Sequence, residues 1–271
     1  MRKNESVTFL SLSSGSCGNC YYLECNGTSI LVDAGVGIRS VERWMAERGF
    51  DIASVAAILL THDHTDHTKA VGSLSKKYKI PVYSTAATLQ SVAVCSSLAT
   101  KPESERMRSI EKCREMVLGN FAIEAFSLPH DATDSVGYRI EVGGKVFVFM
   151  TDLGVLPSSA MRYVGDATHL IIESNYDEGM LADSNYPLSL QERIDSDSGH
   201  LCNSQTARYL SRLYHDRLER IWLCHLSQEC NTPSLALKAT TEALRSVGVG
   251  NGDVEVVALP RKEPSEVYII E

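Results

Sequence analysis

Short apolar runs broken by polar turns recur along the chain, and several alternate with the period of two expected of a sheet with one face inward. They predict strands near residues 7–12, 20–25 and 29–33, followed by a helical spacing near 38–49. The run Val55-Ala56-Ala57-Ile58-Leu59-Leu60, in a strand predicted over 54–60, is aliphatic throughout, as in a strand covered on both faces. A helix near 68–79, a strand at 81–83 and a helix at 85–97 come next, then a polar stretch to about residue 115. Alternation at 121–128, 136–142 and 145–150 predicts an antiparallel meander, its last two strands turning at Gly143-Gly144. Beyond it the pattern gives strand 168–174, a loop-rich segment 175–202, helix 203–215, strand 220–224, helix 233–247 and strand 254–258. Helices and strands alternate in both halves, so the expected class is α/β, with helices covering sheets.

Composition narrows the partners. A chain of 271 residues with 44% apolar content can bury a large core, in one domain spanning 1–271 or in two fused halves. No repeat or low-complexity linker divides it. The net charge of −8 argues against broad adhesion to DNA or to an anionic membrane, but leaves room for a local phosphate site, because bound divalent cations reverse the field in a cleft. Lys69, Lys76, Lys77, Arg261 and Lys262 are basic residues that could add to such a site. The opening Met1-Arg2-Lys3-Asn4-Glu5 lacks the apolar core of a signal peptide, and no stretch reaches the length of a membrane span. The eight cysteines are scattered, several within apolar patterns, which suits a reduced cytoplasm. Cys17, Cys20 and Cys25 are close together but have no second pair at zinc-ribbon spacing. Nothing in the sequence implies a protein partner.

The chemistry gathers at the end of the aliphatic run, where His62-Asp63-His64-Thr65-Asp66-His67 sets three imidazoles and two carboxylates in one loop. In extended backbone His62 and His64 point to one side, while Asp66 and His67 fall where a helix begins to turn the chain. One loop could therefore serve two metal ions. Such ions need ligands in three dimensions, so other strand ends must contribute. His130, Asp152 and His225 each close an apolar run and are the candidates.

Taken in order, Asp33 in Leu31-Val32-Asp33-Ala34-Gly35, the cluster His62/His64/Asp66/His67, His130, Asp152 in Thr151-Asp152-Leu153-Gly154, and His225 resemble the five motifs of the metallo-β-lactamase superfamily over nearly the whole chain. The resemblance implies a four-layer αβ/βα sandwich with the site at one edge. It implies that His62, His64 and His130 hold one divalent ion, that Asp66, His67 and His225 hold another, and that Asp152 bridges them. Asp33 would orient a ligand imidazole. Imidazole and carboxylate donors accept Zn, Mn or Fe. Oxygen-reducing di-iron members carry Glu where His64 stands, so a hydrolytic site is implied, and the β-lactam-hydrolysing members are secreted.

Three further segments, Ser13-Ser14-Gly15-Ser16-Cys17-Gly18-Asn19, Glu173-Ser174-Asn175-Tyr176-Asp177 and Gly199-His200-Leu201-Cys202-Asn203, are similar to the YycJ (VicX) branch, as is His225-Leu226-Ser227-Gln228-Glu229-Cys230-Asn231-Thr232-Pro233. That branch is associated with exonuclease action on DNA. Tyr176 and Cys202 depart from it, standing where His and Ser are frequent. Two cations about 3.5–4 Å apart can share a hydroxide for in-line attack at phosphorus, which Asp66 or Asp152 could orient. His200 could protonate the leaving oxygen if Glu173 accepts its other N–H, the alternative being that both merely brace loops. Segment 13–19 is either an anion-binding nest or a tight hairpin, and residues 184–198 read as a long mobile loop. The expectation is a metal-dependent phosphodiesterase acting on DNA from an end. The runners-up are a hydrolase of small thioesters or cyclic phosphodiesters, favoured by the acidic surface, and a non-enzymatic, metal-braced regulatory partner.

Overall fold

A computed structural model describes residues 5–250 and 252–271; the opening residues 1–4, read above for a signal peptide, lie outside them. The strands are β1 (Val7–Ser13), β2 (Cys20–Cys25), β3 (Thr28–Val32), β4 (Val55–Leu59), β5 (Val82–Ser84), β6 (Met107–Ser109), β7 (Glu115–Leu118), β8 (Phe121–Ser127), β9 (Val136–Val142), β10 (Lys145–Met150), β11 (His169–Glu173), β12 (Arg220–Cys224), β13 (Glu255–Ala258) and β14 (Tyr268–Ile270). They form two seven-stranded sheets, ordered β14-β1-β2-β3-β4-β5-β6 and β13-β12-β11-β10-β9-β8-β7. Each sheet joins an antiparallel half to a parallel half: β3 to β6 run parallel in the first, and β10 to β13 in the second.

Alternation along the strands separates three apolar layers. Phe9, Tyr21, Leu23, Ile30 and Leu59 meet Tyr138, Phe147, Phe149, Ile171 and Trp222 between the two sheets. The opposite faces of the same strands are covered by helices. Tyr22, Leu31 and Ile58 pack with Val41, Met45 and Leu74, and Val148, Leu170 and Leu223 pack with Ala160, Leu210 and Ala236. Helix, sheet, sheet, helix is the four-layer αβ/βα sandwich. In the parallel halves, side chains buried on both faces produce the continuous aliphatic runs, as in Val55–Leu59 and His169–Glu173.

Several boundaries differ from the sequence reading. The helix expected near 68–79 is two pieces, Thr65–Thr68 and Val71–Tyr78, so the first turn begins inside the histidine cluster. The segment 175–202 is not a bare loop: it carries helices Glu178–Ala182 and Leu188–Ile194 and packs a small apolar group of Tyr176, Leu181, Cys202 and Cys230. Helix Ser158–Val164 and strands β6, β7 and β14 are additional. No helix of the described residues is long and apolar enough to cross a membrane.

Candidate metal centre

The ends of β3, β4, β10, β11 and β12, together with the turn after β8, converge at one edge of the sandwich. They bring together three sets of side chains whose donor atoms lie within 4.8 Å of one another: His62, His64 and His130; Asp66, His67, Asp152 and His225; and Asp152, Glu173, His200 and His225. All the residues singled out as ligands, and both Glu173 and His200, therefore occupy a single region. Two strand ends hold their residue in the left-handed region, Asp33 at φ 61° and His225 at φ 53°. Residues other than glycine adopt it rarely, and such strain is found where surrounding contacts fix a functional group.

The imidazoles are aimed by their neighbours. The Nδ1–H of His67 donates to Asp33 Oδ2 (2.7 Å), that of His225 to Glu173 Oε1 (2.8 Å), and that of His130 to the Gly199 carbonyl (3.0 Å). Thr61 donates its hydroxyl proton to Asp33 (2.9 Å), so the same oxygen accepts from His62 Nδ1 at 3.0 Å. Each of these rings thus spends Nδ1 on the protein and turns Nε2 to the cleft, as a ligand imidazole requires. His64 faces the group through its other nitrogen, with Nδ1 3.3 Å from His130 Nε2.

Three polar atoms at the centre, His62 Nε2, His225 Nε2 and Asp152 Oδ2, are buried without a hydrogen-bond partner, although Asp152 Oδ2 lies 3.1 Å from His67 Nε2. Leaving such groups unsatisfied costs about 1–3 kcal/mol each, which a bound cation would offset. Burial, reinforced by the charge of His67, holds His62 well below the usual imidazole range, leaving a neutral lone pair. Burial would lower His67 too, but Asp152, Asp33 and Asp66 outweigh it and hold the ring well above that range. His225 is pushed up to about 10 against burial, by Asp152, Asp66 and Glu173. The acids stabilise positive charge here, and a divalent ion would displace the ring protons. The donor set fits divalent metal.

Glu173 is fully buried and fully used. Its Oε2 accepts the backbone N–H groups of Leu153 and Leu201 (both 3.1 Å), and its Oε1 accepts from His225 and from His200 Nδ1 (2.7 Å). Burial lowers the His200 pKa, but Glu173 outweighs it and raises the value. The His200 ring lies between the two ligand groups, with its centroid 5.1 Å from that of His130 and 5.3 Å from that of His225.

Residues 28–225 match the family model described as the beta-lactamase superfamily domain. The chain belongs to the metallo-β-lactamase superfamily. The chain is 34% identical over 241 residues to exodeoxyribonuclease WalJ of Streptococcus pneumoniae, covering 89% of each chain. It is 30% identical over 264 residues to exodeoxyribonuclease YycJ of Bacillus anthracis, covering 97% of this chain and 98% of the relative. In fold it is similar to the metallo-β-lactamase fold protein YhfI from Bacillus subtilis, with a TM-score of 0.72 at 17% identity over 98% of this chain and 100% of that one. The 34% and 30% identities to these two relatives, over most of each chain, bear out the YycJ-type resemblance.

The sequence reading missed several residues of the site. Asp63 accepts from Ser91 (2.5 Å) and from the Thr133 hydroxyl (2.6 Å), tying the cluster to the turn that carries His130. Asn19 Nδ2 lies 2.9 Å from His67 Nε2, and its backbone N–H donates to the Asp66 carbonyl (2.7 Å). In segment 13–19 the amide of Gly15 is spent on Asn19 Oδ1, that of Ser14 on the Pro260 carbonyl and that of Gly18 on the Gly15 carbonyl, which braces the loop beside His67. The departures at Tyr176 and Cys202 are structural. Tyr176 is buried and bonded to Asp195, and Cys202 caps helix Asn203–Leu213 through a reciprocal pair with Gln205. Lys77 is spent on Glu42 (2.8 Å).

Proposed function

We propose that this chain is a dinuclear metal-dependent phosphodiesterase that removes nucleotides from DNA ends. The observation that carries the reading is the pairing of two adjacent donor groups with Asp152 beside both: its carboxylate is 3.1 Å from His67 and from His225, and 3.9 Å from His130. The two relatives named as exodeoxyribonucleases, each matched over nearly its whole length, supply the substrate class. His62, His64 and His130 would hold one ion and Asp66, His67 and His225 the other, with Asp152 available to both groups. Two divalent ions, Zn, Mn or Fe, would supply Lewis acidity and an activated water for attack at phosphorus. The Asp66 carboxylate, 24% exposed at the cleft, would help hold the second ion and orient a water beside it. His200, oriented by the bond from its Nδ1–H to Glu173 Oε1 (2.7 Å), would give a proton from Nε2 to the departing sugar oxygen as the P–O bond breaks. All eight cysteines are free, which supports work in a reducing cytoplasm.

The test is metal-loaded protein on end-labelled single- and double-stranded DNA, beside His64→Ala and His200→Ala. We expect a metal-dependent ladder, lost in His64→Ala. In His200→Ala it slows by about 10²–10⁴, whereas bis(p-nitrophenyl) phosphate, whose leaving group needs no proton, is spared most of that loss. Turnover confined to thioesters or cyclic phosphodiesters would overturn the proposal.

A further inference from the structure

We infer that a cavity opening on Asp66 seats one nucleotide of the DNA strand beside the phosphate being cut, with Lys69 paired to a flanking phosphate. The inference rests on the nuclease reading above and names a subsite for it. The cavity measures about 400 Å³ and is lined by Cys17, Thr65, Asp66, Lys69, Leu98 and Ala99. That lies toward the lower end of small-ligand pockets, about 300–1,000 Å³, and suits a mononucleotide rather than a base pair. Because Asp66 belongs to both the cavity wall and a metal-binding group, an occupant lies next to the reacting phosphate.

Chemistry and rigidity agree with that occupant. Ala99 and the edge of Leu98 line it with carbon, while the exposed Thr65 offers a hydroxyl. The floor is fixed: a Cβ on Gly35 would stand 1.6 Å from the Asp66 carbonyl, which also accepts the Asn19 N–H. Three other cations are engaged, Arg193 with Asp131 (2.5 Å), Lys112 with Asp134 (2.8 Å) and Arg261 with the Ser227 carbonyl (2.5 Å). Lys69, three residues beyond Asp66, is exposed and has no ion-pair partner among the described residues. On a chain of net charge −8, an uncommitted ammonium at the rim of the site is a place where a phosphodiester gains contact without opposing an acid.

The test compares kcat/KM for single-stranded DNA with that for bis(p-nitrophenyl) phosphate, using the metal-loaded protein. Lys69→Met should lower the DNA-to-ester ratio about tenfold, the value of one charged hydrogen bond. It should also flatten the slope of log kcat/KM on DNA against log salt by about 0.7. Ala99→Trp, which fills the cavity at an exposed position, should lower the ratio through a raised KM for DNA. Lys238→Met, an equal charge change on helix Pro233–Ser246, should leave the ratio as it is. The inference is overturned if Lys69→Met behaves as Lys238→Met does, or if Ala99→Trp keeps the ratio. A wild-type protein that turns over the ester but leaves DNA intact would instead overturn the nuclease reading.

Discussion

The two donor groups at the cleft share an imidazole chemistry but differ in charge. His62, His64 and His130 meet with no carboxylate among them, whereas His67 and His225 stand with Asp66 and Asp152 and are backed by Asp33 and Glu173. The same side chain is accordingly driven in two directions: burial holds His62 neutral, while acids hold His67 and His225 charged against burial. Neighbours, rather than residue type, decide what each ring offers an ion. The histidine triad has carboxylates only at its edge, Asp131 at 3.4 Å and Asp152 at 3.9 Å from His130, whereas the acidic group counts two carboxylates among its own donors. An ion at the acidic group should therefore be held more tightly, and the triad should empty first under a chelator.

Asp152 is where the comparison can be broken most forcefully, because its carboxylate approaches rings of both groups. Asp152→Ala should lose both ions and slow DNA cleavage by about a thousandfold or more, matching several kcal/mol of lost charge stabilisation. His64→Ala should lose one equivalent and keep the ion of the acidic group. Elemental analysis after dialysis reads both outcomes. Two retained equivalents in Asp152→Ala would refute the bridging role.

Glu173→Gln sharpens the comparison with a smaller effect. The amide keeps the shape of the carboxylate but removes the charge that serves His225 and His200. Metal affinity at the acidic group and DNA turnover should each fall about 10–100-fold, as for other residues that orient a ligand from behind, with the triad's affinity unchanged. Equal losses at both groups would show that Glu173 acts through the fold instead.

What could be read from the sequence follows from where the information lies. The cluster His62–His67 is contiguous, and His130, Asp152 and His225 each end an apolar run, so local order alone marks them. The contacts that aim the ligands form only on chain closure, Thr61 reaching Asp33, Asn19 reaching His67 and Gly199 reaching His130. These residue types are ordinary and announce nothing. Strand β14 is three residues long and pairs with β1 from the other end of the chain, while β6 and β7 are partly exposed, so no strong period marks any of them. Helix Leu188–Ile194 buries none of its residues and has no apolar stripe to betray it.

His169 extends the contrast to a ring with no acid and no role at the cleft. It is buried on β11 against Phe147, at a centroid distance of 4.8 Å, and its Nδ1 lies 2.9 Å from the Thr168 hydroxyl. Burial, with Lys145 and Arg220 adding, lowers its pKa to about 3. An unfolded histidine titrates near 6.5, so above that value neither state holds the proton and the full native stability is present. As pH falls below it, the unfolded chain takes up a proton that the folded chain refuses, and stability is lost until the folded value is reached. At pH 5 the gap is worth about 2 kcal/mol, at roughly 1.4 kcal/mol per unit. In His169→Phe, the drop in unfolding free energy between pH 7.5 and pH 5, measured with urea, should therefore be about 2 kcal/mol smaller than in the wild type. Because the ligand rings titrate in both proteins, the difference between the two profiles isolates this one histidine. Parallel profiles would mean that burial alone does not drive a ring neutral in this protein, and the account of His62 would lose its basis as well.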